Sequence, residues 1–186
     1  MGLRISFELN DEDLQHFRLI MRAARDAAAH RAPEDIVAAA ATLMQKIGDS
    51  NRSGFIAERL QKLNMMMRMI SDLDWRLPHA DSKRVLHALA YFADPDDLIP
   101  DHIPGLGFLD DAIMVELVVR ELRHEIQAYH DFCVFRDNEQ SGSSARSHKE
   151  RRDRLNTRRN ELQSRMHRRL QRDLQRHAAV KPRILG

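Results

Sequence analysis

Residues Ala90 to Ala112, AYFADPDDLIPDHIPGLGFLDDA, hold three prolines, two glycines and six aspartates between two segments of helical apolar spacing. Proline removes a backbone donor and clashes with the preceding helical turn, while the Gly105-Leu-Gly107 step admits the positive φ of a tight reversal. A stretch this rich in turn chemistry forces helix, corner, helix. It names no reaction. Asp94-Pro95-Asp96-Asp97 reads as an N-cap, a first-position proline and an acidic first turn. Asp110 reads as the N-cap of the following helix, and Asp111 adds to the favourable interaction with its dipole.

The order Pro95, Asp97, Leu98, Ile99, Pro100, Asp101, then Pro104, Leu106, Gly107, then Leu109, Asp110, Asp111 resembles the YkvA-like family of bacteria. That family is a domain of unknown function marked by a P-x-D-L-I-P-D turn, a P-x-L-G loop and an L-D-D helix start. The resemblance implies no activity that can be carried over. It does imply a membrane context, because many relatives carry apolar helices on both sides of the motif. This chain departs from that pattern. Its most apolar window, Leu98 to Val119, contains Asp101, His102, Asp110, Asp111, Glu116 and two prolines. Each acid near a bilayer centre costs about 2.5–3.5 kcal/mol, so no transmembrane span is expected.

The rest of the chain reads as helices. Leu3 to Leu9 alternates at period two, which suits a short strand or extended arm. Asn10 is an N-cap candidate, followed by Leu14, Phe17, Met21 and Ala24 at helical spacing. Pro33 opens a second helix with Ile36, Ala40, Leu43 and Ile47 on one face, and Gly48 to Gly54 is a loop. A third helix, about Phe55 to Leu73, carries Ile56, Leu60, Leu63, Met67 and Ile70. Its Met65-Met-Met-Arg-Met69 cluster suits an adaptable core better than a soft-metal site. Asp81 is expected to cap a fourth helix bearing Val85, Leu86, Leu89 and Phe92, with Trp75 packing over the corner. A long helix from Asp110 to Phe135 follows, striped by Val115, Val118, Leu122, Ile126, Tyr129 and Cys133.

Charge divides the molecule. The formal net charge of +2 averages two unlike parts: residues 145–186 hold 14 Lys and Arg against 4 Asp and Glu, leaving 16 basic and 24 acidic residues in 1–144. Within the basic segment Leu155, Leu162, Met166, Leu170 and Leu174 form a narrow apolar seam. Arg151, Arg152, Arg158, Arg159, Arg165, Arg168, Arg169 and Arg172 flank it as candidate anion-binding residues. Guanidinium forks suit nucleic-acid phosphate and anionic lipid headgroups alike. The same helix could instead dock on the acidic body or on a protein partner. The segment has no aromatic residue for stacking bases.

Catalytic signatures are sparse. Asp97, Asp101, Asp110 and Asp111 could offer oxygen ligands to a divalent cation, which would support a metal-dependent hydrolase, but helix caps and first turns account for most of these aspartates. Glu121-x-x-His124 has di-iron bundle spacing and lacks a second such pair. His79, His87, His102, His124 and His130 read as packing or solvated residues. No nucleophile elbow, phosphate loop or C-x-x-C is present. No catalytic residue and no cofactor is assigned. The lone Cys133 points to a reducing cytoplasm, and no signal-peptide h-region is seen in Met1 to Leu9.

The sequence therefore predicts an all-α protein: a compact bundle of about five helices with a Pro/Gly/Asp-rich corner, and a detached basic C-terminal helix. Residues 1–136 would form the YkvA-like domain with the motif at 85–120, residues 137–148 a linker, and residues 149–186 a basic helical or partly disordered tail. The expected role is a non-catalytic adaptor in the cytoplasm or at the inner membrane face. Its tail would meet an anionic lipid surface, a nucleic-acid backbone or a protein partner, and a homo-oligomer is compatible with this pattern.

Overall fold

The computed structural model describes residues 8–27, 30–48, 54–93, 109–141 and 147–180. Among them the chain is all-α: α1 (Asp11–Ala27), α2 (Pro33–Gly48), α3 (Gly54–Ser71), α4 (His79–Leu89), a 3-10 turn (Ala90–Ala93), α5 (Leu109–Glu121), α6 (Arg123–Ser141) and α7 (His148–Val180). Most of the predicted arm and all of the Asp94 to Phe108 corner lie outside the described residues, as does most of the loop before Gly54.

The helix starts follow from local chemistry. Asn10 Oδ1 accepts the N–H groups of Glu12 (2.8 Å) and Asp13 (3.0 Å), and Asp13 Oδ2 returns a bond to the Asn10 N–H (2.9 Å). These bonds satisfy donors that the first turn leaves without intrahelical partners. Ser147 does the same for α7: its Oγ accepts the Glu150 N–H at 3.3 Å, and Glu150 Oε2 accepts the Ser147 N–H at 3.0 Å. Ser147→Ala is expected to lower stability by about 1 kcal/mol in thermal denaturation. Pro33 stands first in α2 as predicted.

The chain divides into two compact units, Met1–Asn64 with Ser82–Val118, and Met65–Asp81 with Val119–Gly186. In the first, α1 and α2 pack on the 3-10 turn, whose Tyr91 and Phe92 are buried edge to face. Met21, Ile36, Ala40, Leu60, Leu63 and Val85 complete much of that core. Glu116, the one acid in the apolar stretch Ala112 to Val119 of α5, accepts a bond from Arg59 Nη2 of α3 at 3.1 Å.

In the second unit, Trp75 is buried against Tyr129 and Phe132 of α6, at ring-centroid distances of 5.7 Å and 5.2 Å. Leu162 and Met166 of α7 are also buried, and α6 and α7 pack together. The basic helix, expected to stand detached, is thus docked. Its apolar seam is too hydrophobic to leave in water when α6 offers a partner.

Other expectations change in detail. The long helix predicted from Asp110 is interrupted at Leu122, giving α5 and α6, although the Ile126 N–H still donates to Leu122 O at 2.9 Å. Helix α6 continues through Ser141. Asp81 lies in the first turn of α4 and is not its cap. The methionine cluster is core, but the buried pair is Met66 and Met69, with Met67 and Ile70 half-buried. The α3 stripe therefore runs Leu60, Leu63, Met66, Met69, in steps of three.

Candidate anion-binding surface

The turn after α3 organises the second unit. Asp72 Oδ1 accepts the N–H groups of Asp74 (2.9 Å) and Trp75 (3.1 Å), and the Arg76 N–H donates to Asp72 O at 3.0 Å. Arg76 completes the reversal at φ 48°, a left-handed conformation costly for a residue with a Cβ. The same Asp72 carboxylate receives Tyr129 Oη at 2.9 Å and Arg136 Nη1 at 2.8 Å. Its side chain is 10% exposed and that of Arg136 is 14% exposed. Burial alone would raise the Asp72 pKa, but the bonds from Tyr129, Arg136 and the Trp75 N–H outweigh it and hold the carboxyl below its ordinary range. The Tyr129 phenol is pushed up by burial and by its bond to Asp72.

While the carboxylate of this turn faces α6, its carbonyls receive α7. Arg159 Nη1 donates to Asp74 O at 3.3 Å, and Gln163 Nε2 donates to Trp75 O at 2.9 Å. Further along α7, His167 Nε2 lies 2.7 Å from Asp81 Oδ2. Asp173 pairs with Arg123 and, at 2.7 Å, with His124 Nε2. Those bonds hold the Asp173 pKa down at about 2. At the other end, Arg154 Nη2 bonds Glu139 Oε1 at 2.8 Å, and the Arg154 and Arg158 guanidinium groups lie 6.0 Å and 5.7 Å from the Phe135 ring centroid.

The eight predicted anion-binding arginines are therefore not equivalent. Arg158 is committed to Phe135 and to Glu161 (3.2 Å). Arg159 faces the turn, where burial and then the charge of Arg76 lower its pKa. Arg152, Arg168, Arg169 and Arg172 are exposed, Arg151 and Arg165 half-buried, and none has an ion partner among the described residues. At about 100° per residue, Arg165, Arg168, Arg169 and Arg172 fall in one sector about 100° wide. Arg152 falls outside that sector. Arg165 and Arg168 line a shallow hollow on α7 together with Thr157, Asn160, Glu161 and Ser164.

The motif aspartates contribute no describable site. Asp97 and Asp101 lie outside the described residues, whereas α5 begins at Leu109, so Asp110 lies with Asp111 in its first turn and is not its N-cap. Among the described residues no three His, Cys, Asp or Glu side chains are grouped as metal ligands. The Glu121-x-x-His124 spacing is broken at Leu122, and His124 binds Asp173. Sequence reasoning missed Asp72, Glu139 and Asp173, and took Asp81 for a helix cap where it is the partner of His167. Asp72 and Asp74 did carry a signal, because acids at a helix C-terminus oppose its dipole and need another reason to be there.

No described helix is long and apolar enough to cross a membrane. No solved structure matches the chain. The family model described as "Protein of unknown function (DUF1232)" matches residues 84–117, which lie in the first unit and exclude α7. A protein of Bacillus subtilis (strain 168) named "Uncharacterized membrane protein YkvA" is 34% identical over 76 residues, covering 38% of this chain and 70% of the other. With that identity over most of the relative's length, beside the family match across α4 and α5, the chain belongs to the YkvA-like family of proteins of unknown function.

Proposed function

We propose that the protein is a non-catalytic, membrane-peripheral adaptor that adsorbs to anionic lipid through the outer face of α7. The observation that carries this reading is the sector of exposed Arg168, Arg169 and Arg172 with half-buried Arg165, which lacks ion partners among the described residues. The membrane protein named among its relatives supports a lipid partner. The absence of aromatic residues from α7 disfavours single-stranded nucleic acid.

Docking sets the binding mode. Leu162 and Met166 are buried, so the seam is unavailable for insertion while α7 is docked, and attraction to headgroups is mainly electrostatic. Each basic residue near an anionic leaflet is worth about 1 kcal/mol. Replacing Arg165, Arg168, Arg169 and Arg172 together with glutamine is expected to weaken vesicle binding about a hundredfold to a thousandfold at low salt. Sedimentation with phosphatidylglycerol vesicles measures this effect. Unchanged affinity would remove the assignment.

A further inference from the structure

The geometry points to α7 as an electrostatic latch that an anionic membrane opens, releasing the helix as a second, amphipathic lipid-binding element. This inference rests on the lipid-binding reading above and adds its regulation. Among the described side chains of α7 only Leu162 and Met166 are fully buried, whereas Leu155 and Leu170 are half-buried and Leu174 is exposed. Polar clasps therefore join the seam in docking α7: Arg154 to Glu139, Arg159 to Asp74 O, Gln163 to Trp75 O, His167 to Asp81, and Asp173 to His124. The Glu139 and Asp81 side chains are 8% and 5% exposed, and opening would return them to water.

Helix α7 holds its own structure. The Ser147–Glu150 box caps it, and the Arg158–Glu161 pair lies within it. At 33 residues it is long enough to persist away from α6. Opening frees Arg154 and Arg159, and Arg158 from the Phe135 ring, together with the seam from Leu155 to Leu174, a basic amphipathic helix suited to an anionic interface. A ligand shifts such an equilibrium only by its preference for one form. Three additional arginines, each worth about fivefold, supply a preference of about a hundredfold.

Two intrinsic probes test the latch. Trp75 is the only tryptophan and Met166 is buried in the docked helix. Full-length protein is titrated with phosphatidylglycerol vesicles while Trp75 emission is followed. The variant Glu139→Gln/Asp81→Asn/Gln163→Ala is compared, without lipid, with the charge-matched control Asp137→Asn/Asp153→Asn. The variant is expected to oxidise Met166 with peroxide at least fivefold faster than the control, with Met114 of the first unit still protected. It should also bind vesicles more tightly than the control, and wild-type Trp75 emission should shift to the red on binding. Vesicle binding with unchanged Trp75 emission, or equal Met166 oxidation in variant and control, would overturn the latch and leave the surface-adsorption reading standing. No vesicle binding by any of the proteins would overturn both.

Discussion

Replacing Arg136 with methionine is expected to lower stability by about 3–5 kcal/mol, because it strands a buried carboxylate. Asp72 would keep Tyr129 and two backbone donors but lose the only cation bonded to it among the described residues. Arg136 also lies 5.4 Å from the Phe132 ring centroid, so its loss removes packing as well. The double variant Asp72→Asn/Arg136→Met should fall well short of the sum of the single effects, since it removes the stranded charge. Denaturant titration of the four proteins measures the coupling.

Acid should reproduce part of this loss. The folded-state pKa of Asp72 is depressed, and that of Asp173 lies at about 2. Such groups stabilise the fold above their unfolded pKa of about 3.9 and lose that contribution as protons bind the folded state. Stability is therefore expected to fall between about pH 4 and pH 2, with a shallower dependence in Asp72→Asn.

The second large effect is at Trp75, where alanine should cost about 3–5 kcal/mol. Its indole fills the space against Tyr129 and Phe132, and the adjoining backbone carbonyl anchors Gln163 of α7. Truncation would leave a cavity beneath the basic helix. Trp75→Phe should cost clearly less, because Trp75 Nε1 is buried without a hydrogen-bond partner among the described residues. Thermal denaturation of the two variants compares volume with hydrogen bonding directly. Equal destabilisation would contradict this account of the core.

The helices of this protein were readable because their signals are local. Asn10, Pro33 and the apolar spacing of α1, α2 and α5 act over one or two turns and reappear as caps and buried faces. The docking of α7 was not readable, because it depends on partners distant in sequence. Gln163 meets Trp75 O, His167 meets Asp81, and Asp173 meets His124. Periodicity identified the seam but could not say which surface would cover it. For the same reason the arginines looked alike in sequence, although docking turns Arg158 to Phe135 and Arg159 to Asp74 O and leaves Arg168, Arg169 and Arg172 exposed.

The most direct test of the lipid assignment is flotation of the full-length chain with phosphatidylglycerol and with phosphatidylcholine vesicles, at low and at moderate salt, with and without competing duplex DNA. The account predicts flotation with the anionic vesicles alone, weakened by salt and weakened about a hundredfold or more when Arg165, Arg168, Arg169 and Arg172 are glutamine. Flotation that is indifferent to lipid charge, or complete loss of the protein to DNA at an equal concentration of phosphate, would contradict it.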